Sequence, residues 1–292
     1  MRLGMAPAFL IAALVATASA AAATPPVADP PRDAAHPAAM LQIEMPNGGA
    51  TMFGTYYRAA GAGPHPTVLL LHGLPGYEDN GDLAQALRRA GWNVLRFHYR
   101  GAWGSGGTFS FAHAIEDARM ALAYLRAPEQ AGRLAVDPAR IVVIGHSMGG
   151  FVAATVASRD PAVRGVALLS AWNPGTLASK ASAELDQAML AEFRGDVGPL
   201  GGVSPEDLLA EAKQHAREWD LLDDGERLKT RPALVVASDD FLRDDDLAIA
   251  EAWRKSNPHG VTSLHLPTDH SYSDQRLALQ AAVIGWLAPL AR

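Results

Sequence analysis

Apolar and polar positions along the chain change rhythm from segment to segment. The runs 68–71 (Val-Leu-Leu-Leu) and 233–236 (Ala-Leu-Val-Val) are apolar without alternation, which is typical of parallel strands buried on both faces. Amphipathic stretches separate such runs, and this alternation predicts an α/β fold with helices on both faces of a sheet. The predicted strands of this part are 67–72, 92–99, 140–145, 165–171, 233–238 and 261–266. The predicted helices are 82–90, 112–126, 148–158, 247–255 and 274–287.

Two further strands are predicted before this alternating region. They cover 40–45 and 51–58, and the turn sequence Pro-Asn-Gly-Gly at 46–49 separates them. Asn-Gly and Gly-Gly pairs favour tight hairpins, so these strands are expected to pair antiparallel. The complete predicted sheet has eight strands, of which the last six are mainly parallel.

The region 173–231 interrupts the rhythm, because no strand pattern is evident in it. Apolar residues at helical spacing end at Gly195, and the run 204–207 (Ser-Pro-Glu-Asp) is typical of a helix start. We interpret 173–231 as a helical cap inserted into the sheet domain. The alternative is that these helices belong to an ordinary crossover, although helix and loop together are longer than a crossover requires.

The N-terminal segment has the features of a secretory signal peptide. Arg2 precedes an apolar stretch at 6–16, and Ala-Ser-Ala at 18–20 is a small-x-small cleavage signature. An uncleaved anchor is the alternative, but the stretch is short of the ~20 strongly apolar residues of a membrane span. We therefore expect a signal peptide at 1–20, a disordered Pro- and Ala-rich leader at 21–39, and a folded domain at 40–292. The expected location is periplasmic or secreted, without stable membrane insertion after cleavage.

Charge and cysteine content exclude several classes of function. Lys and Arg number 25 against 31 Asp and Glu, a net charge of −6, so nucleic acid is not an expected partner. The chain contains no cysteine, which excludes a thiolate nucleophile and a cysteine-ligated metal.

The most informative motif is the sequence Gly-His-Ser-Met-Gly at 145–149. It follows the apolar run 141–144 and precedes a stretch compatible with a helix at 150–158. In such a strand–turn–helix unit the serine hydroxyl is held above the sheet, and the flanking glycines let the two backbones pass closely. The motif predicts that Ser147 is a nucleophile.

Several of these features together resemble the α/β-hydrolase superfamily, from about residue 40 to the C-terminus. They are the loop 72–76 (His-Gly-Leu-Pro-Gly) after the third strand, the serine turn, an acid after the seventh strand and a histidine after the eighth. The run 98–101 and the Gly-rich loop to Gly107 look most like dienelactone-hydrolase and prolyl-oligopeptidase-type members. The resemblance implies a serine hydrolase that needs no cofactor.

A serine hydroxyl needs a base that removes its proton, and that base needs an acid that orients it. His270 follows the last predicted strand, at the same sheet edge as Ser147, and is the predicted base. Asp239 and Asp240 both follow the seventh strand. In related enzymes the acid lies a few residues past a small residue that closes the strand; taking Ala237 as that residue favours Asp240. The order Ser147, Asp240, His270 is that of α/β-hydrolases.

Oxyanion stabilisation is expected from the backbone N–H groups of Leu74 and Met148. The Gly-rich loop 101–107 lacks a completed G-x-G-x-x-G and is no P-loop, and the acids 244–246 lack the spacing of a calcium loop. The sequence therefore indicates neither a cofactor nor a metal. The aromatic residues considered as candidates for an apolar substrate pocket are Trp103, Trp172, Phe193 and Trp219.

These features predict a hydrolase that cleaves esters of small or medium apolar substrates through an acyl-enzyme. A serine peptidase or amidase acting on short peptides is the alternative, because the same triad serves both reactions. A binder of hydrophobic ligands without catalytic activity is a second alternative. The expected partner is a small-molecule ester, and the sequence does not indicate the oligomeric state.

Overall fold

The computed structural model describes residues 28–292, and its strands form one sheet of eight. This sheet, with its flanking helices, confirms the predicted α/β class. The predicted signal peptide, 1–20, and the first part of the predicted leader lie outside the described residues. The strands are β1 (Ala39–Asn47), β2 (Ala50–Arg58), β3 (His65–Leu71), β4 (Asn93–Phe97), β5 (Val136–His146), β6 (Gly165–Leu169), β7 (Ala233–Ala237) and β8 (Val261–His265).

The strand order is β1-β2-β4-β3-β5-β6-β7-β8. Gly48 and Gly49 join β1 and β2 with φ values of +57° and +81°, which a tight hairpin turn requires and glycine tolerates. Strand β2 is antiparallel to β4, and β3 to β8 are all parallel. Because β4 and β5 lie on opposite sides of β3, the strand order reverses there. Open α/β sheets bind ligands at the carboxyl ends of strands at such a point.

Helices cover both faces of the sheet. They are α1 (Gly81–Arg89), α2 (Phe111–Arg126), α3 (Pro128–Leu134), α4 (Met148–Arg159), α5 (Thr176–Ser179), α6 (Ala183–Asp196), α7 (Pro205–His215), α8 (Arg243–Ser256) and α9 (Arg276–Leu287). Leu69 and Leu71 of β3 belong to the core under α2, α4 and α8. Val68 and Leu70 face the other way, into the core under α1 and α9. The central strand is therefore buried on both faces, as its unbroken apolar run predicts.

Among the local features that differ from the sequence-based prediction, three concern helices. Helix α3 was not predicted; it has only seven residues and starts with Pro128 at its first turn. Gly195 does not end α6, which continues to Asp196. Helix α8 begins at Arg243, four residues earlier than predicted, so that the acids 244–246 lie in its first turn, where the helix dipole favours them.

The region 173–231 contains α5, α6, α7 and a 3-10 turn at Leu221–Gly225, and the structure places no strand in it. Ser204 caps α7, and its side chain and that of Asp207 exchange hydrogen bonds with each other's backbone N–H. The role of this region as a cap stays a prediction. In the described residues, no helix has both the length and the apolar character needed to cross a bilayer.

Candidate active site

Ser147 stands on a sharp turn between β5 and α4. Its φ of 56° and ψ of −123° are strained for a residue with a side chain. The turn depends on two glycines: a Cβ on Gly145 would lie 1.9 Å from the carbonyl oxygen of Gly149, and a Cβ on Gly149 would lie 2.3 Å from that of Leu71. Backbone atoms occupy both places, so the spacing of the motif is a steric requirement of this turn.

Replacing Gly145 by alanine should therefore lower the free energy of unfolding by about 3 kcal/mol or more, because backbone must move to make room. The matched control is Gly195→Ala in α6, where a Cβ would have no neighbour within 4 Å. That variant should gain about 0.5–1 kcal/mol from the better helix propensity of alanine. Urea unfolding measures both. Equal effects of the two substitutions would contradict this account of the turn.

The loop after β3 lies directly beside the serine turn. Leu71 is in register with Gly145 in the parallel β3–β5 pair, so the two strands end together. A Cβ on Gly73 would lie 2.9 Å from the Cβ of Ser147, which shows how closely the loop approaches. Within residues 28–292, the backbone N–H groups of Leu74 and Met148 donate no hydrogen bond. Both residues line the cavity that contains Ser147.

Buried hydrogen bonds hold this loop in place. His72 donates from Nδ1 to the carbonyl oxygen of Gly73 at 2.7 Å, and the Tyr99 hydroxyl donates to the carbonyl oxygen of His72 at 3.2 Å. Burial lowers the pKa of His72 to about 3, so the ring is neutral at physiological pH. Trp103 Nε1 donates to the carbonyl oxygen of Pro75 at 2.7 Å. The predicted oxyanion loop is thus fixed by side chains beneath and beside it.

Asp240 and His270 are joined at the carboxyl ends of β7 and β8. His270 Nδ1 donates to Asp240 Oδ2 at 2.5 Å. The carboxylate also accepts from the Leu242 N–H at 2.8 Å and from Ser238 Oγ at 2.9 Å. Burial alone would raise the pKa of Asp240, but these hydrogen bonds, that from His270 above all, lower it below its usual value. Asp240 is therefore ionised and able to stabilise an imidazolium.

Asp239, the alternative acid, points to the other side of the strand end. Its carboxylate accepts from His265 Nε2 at 2.9 Å and from Arg243 Nη1 at 3.1 Å. The Asp239 side chain is 45% exposed, against 4% for Asp240. The structure brings Asp240, and not Asp239, to His270.

A buried chain of hydroxyl groups leads away from Asp240. Ser238 Oγ and Ser170 Oγ lie 2.8 Å apart, and Ser170 Oγ lies 2.8 Å from the hydroxyl of Tyr272. The Tyr272 hydroxyl donates to the carbonyl oxygen of Val236 at 2.7 Å. Ser170 and Tyr272 have φ values of +45° and +56°, an unusual backbone conformation for both. This chain fixes the carboxylate that orients His270, and sequence patterns gave no sign of it.

His146 holds the His270 loop from beneath. Its Nε2–H donates to the backbone carbonyl oxygen of His270 at 2.8 Å, and the two rings lie 4.7 Å apart between centroids. Burial lowers the pKa of His146 to about 3, which keeps the ring neutral, and the hydrogen bond to the His270 carbonyl oxygen fixes the Nε2–H tautomer. The residue before the nucleophile therefore helps to position the predicted base.

Ser147 and His270 border the same two cavities, but their side chains form no hydrogen bond with each other in the part of the chain that the structure describes. In enzymes without bound substrate, the hydrogen bond between nucleophile and base is often long and tightens only in the complex.

The first of these cavities, here called the apolar cavity, has a volume of about 80 Å³. Trp172 and Phe193, two of the four predicted pocket residues, line it together with ten other residues, four of which are the predicted nucleophile, base and oxyanion residues. The ten are Leu74, Phe111, Ser147, Met148, Met189, Glu192, Asp196, Phe241, Leu242 and His270. The helix α6 supplies Met189, Glu192, Phe193 and Asp196, so the region after β6 forms part of the wall.

Trp103 and Trp219 line neither cavity, which corrects their selection as pocket residues. Trp219 is 3% exposed and packs on Phe151 at 5.2 Å and on His215 at 4.6 Å between ring centroids. Trp103 makes its contacts with the oxyanion loop and the ring of Tyr77. Tryptophan buries a large apolar area in a core as well as in a pocket. Residue type alone therefore does not distinguish Trp103 and Trp219 from Trp172, which does line the cavity.

The second cavity has a volume of about 190 Å³ and is here called the polar cavity, because more of its lining residues have polar side chains than in the first. Tyr77, Glu78 and Asp196 line it with the oxyanion loop and His270. Burial and the negative charge of Glu192 raise the pKa of Asp196 to about 7, and His270 opposes the shift. The sequence analysis missed this carboxyl group. In the described residues, no group of three or more His, Asp or Glu side chains is arranged to hold a metal ion.

A known protein that is similar in sequence matches less than half of this chain. An uncharacterized protein of Mycobacterium tuberculosis, Rv2307c, is 37% identical over 114 residues. That alignment covers 39% of this chain and only 39% of the relative.

Similar solved structures cover most of the chain. An esterase structure from the fungus Rhizomucor miehei matches with a TM-score of 0.65 at 16% identity, over 87% of this chain and 83% of the other. The carboxylesterase EstE1, from a metagenomic library, matches with a TM-score of 0.61 at 23% identity, over 88% and 91%. A family model described as the alpha/beta hydrolase fold matches residues 66–253. The chain belongs to this family, the alpha/beta hydrolases, as the arrangement of its sheet and serine turn indicates.

Proposed function

We propose that the protein is a serine hydrolase that cleaves carboxylic esters with short acyl groups and needs no cofactor. The proposal depends on one observation. A strained serine, a histidine bound to a buried carboxylate and two backbone N–H groups without an acceptor in the described part of the chain meet at one small apolar cavity. The solved esterases of similar fold support it as well.

In the proposed reaction, Ser147 Oγ attacks the ester carbonyl carbon while His270 Nε2 takes the hydroxyl proton. Asp240 stabilises the imidazolium that forms. The tetrahedral oxyanion accepts hydrogen bonds from the N–H groups of Leu74 and Met148, which have no other acceptor among residues 28–292. Collapse of this intermediate breaks the C–O bond, and His270 returns the proton to the leaving alcohol. A water molecule, activated by His270, then releases the acid from Ser147.

The apolar cavity sets the expected acyl preference. The rings of Phe111, Trp172 and Phe193 line the cavity and contact one another at 5.0 to 6.4 Å between centroids. The cavity volume of about 80 Å³ suits a short acyl group. Extra methylene groups must displace these side chains, at an expected cost of about tenfold or more in kcat/KM once the cavity is full.

We expect p-nitrophenyl acetate and butyrate to be hydrolysed with the highest kcat/KM, and the octanoate about 100-fold more slowly. Aminoacyl p-nitroanilides should be poorer substrates than the short esters, because an aryl amine is a poorer leaving group than p-nitrophenolate and depends on proton transfer from His270 to leave. Initial rates with this panel test both points. Faster cleavage of the anilides would identify a peptidase or amidase instead, and no turnover of any member would contradict the proposed function.

A further inference from the structure

We propose that Asp196 makes the site selective for esters that carry a cationic group, an ammonium or protonated amine, which binds in the polar cavity beside Ser147. This inference rests on the proposed function. The apolar cavity would take the acyl group, and the polar cavity would take the alcohol with its positive charge. Asp196 would thus be a specificity-determining residue rather than a catalytic one.

Asp196 has a central place in the site. It lines the polar cavity and the apolar cavity, as do Leu74, Ser147 and His270. None of the residues that line the two cavities is a lysine or an arginine, whereas Glu78, Glu192 and Asp196 are acidic. A substrate that approaches Ser147 therefore meets negative charge on the α6 side. Clefts lined by charge of one sign raise the local concentration of ligands with the opposite sign.

The fold gives no structural reason for a carboxylate at position 196. Asp196 is the last residue of α6, and the negative end of the helix dipole disfavours an anion there. Glu192 lies one turn earlier on the same helix, where like charges repel. Within residues 28–292, neither carboxylate has a hydrogen-bond or ion-pair partner. Burial and this repulsion hold the pKa of Asp196 near 7. A bound cation would relieve each of these costs.

The other walls of the polar cavity suit an ammonium group. Tyr77 is 72% exposed and contacts Trp103 edge to face, so ring surface remains open at the cavity. Aromatic faces attract quaternary ammonium ions. Glu78 also lines the cavity, but its charge is partly balanced by Arg276 Nη2 at 3.8 Å. Asp196 is therefore the wall residue whose charge is least compensated.

The test compares two acetate esters of equal shape. One is the acetate ester of choline, and the other is its dimethylbutyl isostere, in which carbon replaces the ammonium nitrogen. The wild-type protein should hydrolyse the choline ester with a kcat/KM about tenfold higher, and Asp196→Asn should reduce the ratio to near one. Glu184→Gln is the matched control: it removes one exposed acid from the first turn of the same helix, away from both cavities, and should keep the ratio.

The kcat/KM ratio of the choline ester to its uncharged isostere should also rise with pH through about 7 in the wild-type protein, because Asp196 ionises there. It should stay flat in Asp196→Asn. The titratable and charged groups around Asp196 are Glu192 on its own helix, His270, which lines both cavities with it, and Glu78 of the polar cavity with its partner Arg276. Both esters react through the same base, His270, so its contribution cancels in the ratio.

A second measurement does not depend on turnover of the choline ester. Tetramethylammonium chloride should inhibit hydrolysis of p-nitrophenyl acetate by the wild-type protein more strongly than sodium chloride at equal concentration, and Asp196→Asn should lose most of that difference. Equal rates for the two acetate esters, or a preference that survives in Asp196→Asn, would overturn the proposal while leaving the esterase function intact. Absence of p-nitrophenyl acetate hydrolysis would instead overturn the function on which it rests.

Discussion

Ser147→Ala is expected to lower kcat/KM for p-nitrophenyl acetate by about 10⁵-fold or more, to a level set by the remaining cavity and oxyanion donors. Without the hydroxyl there is no atom at this turn that can form the acyl-enzyme. The fold should persist, since within the described residues the Ser147 hydroxyl makes no hydrogen bond and the backbone conformation is strained equally for alanine. Kinetics, labelling with a fluorophosphonate probe and thermal melting measure the three effects.

Ser263→Ala is a suitable control for this variant. Ser263 lies in the edge strand β8 and lines neither cavity, so its replacement should leave labelling and kcat/KM within about twofold of the wild type. If Ser147→Ala still reacted with the probe, another residue would have to be the nucleophile. The strained turn would then need a different explanation.

Local sequence was sufficient for the features that depend on close neighbours. The unbroken apolar runs of β3 and β7 predict buried parallel strands because every residue of such a strand meets a core on one face or the other. The serine turn was predictable for a similar reason. Gly145 and Gly149 meet backbone atoms at under 2.5 Å from an added Cβ, so the motif itself encodes the geometry.

Features that depend on distant packing were not predictable in this way. Gly195 is a poor helix residue, costing about 1 kcal/mol relative to alanine, yet α6 continues past it to Asp196. Phe193 of the same helix is buried among Phe111 and Trp172, which come from distant parts of the chain, and this packing holds the last turn in place. A window of neighbouring residues contains no information about those contacts.

The same limit applies to the charges of the site. Asp196 lies four residues after Glu192, so both are on one face of α6, beside Met189 and Phe193. In sequence that face is indistinguishable from an ordinary solvated one. Only the docking of α6 across the carboxyl ends of the strands turns it toward Ser147 and gives Asp196 its raised pKa.

From the sequence, only the family resemblance favours Asp240 over Asp239 as the acid of the triad. Successive residues at a strand end point to opposite sides, and the pleat decides which of them faces the next strand's loop. In the structure Asp240 points inward, where the Leu242 N–H and Ser238 Oγ complete its hydrogen bonding, whereas Asp239 lies outside with Arg243. These contacts predict that Asp240 is the acid that orients His270 and that Asp239 has no part in the reaction.

Asp240→Asn should lower kcat by about 10⁴-fold, the second largest effect expected in this protein. The asparagine amide can donate to His270 Nδ1, which would leave the proton on Nε2 and remove the acceptor that Ser147 needs. The substitution is nearly isosteric, so its effect should appear in kcat and not in the fold. Initial rates with p-nitrophenyl acetate, together with a melting curve, measure both.

Asp239→Asn is the matched control for this variant, since it makes the same chemical change one residue away. Its contacts with Arg243 and His265 are exposed, so the substitution should leave the melting temperature nearly unchanged and change kcat by less than about threefold. If Asp239→Asn were the inactive variant and Asp240→Asn the active one, the acid would be Asp239, and His270 would have to leave Asp240 to reach it. Because Asp240 also anchors the hydroxyl chain through Ser238, such an exchange would require rearrangement of the buried network behind it.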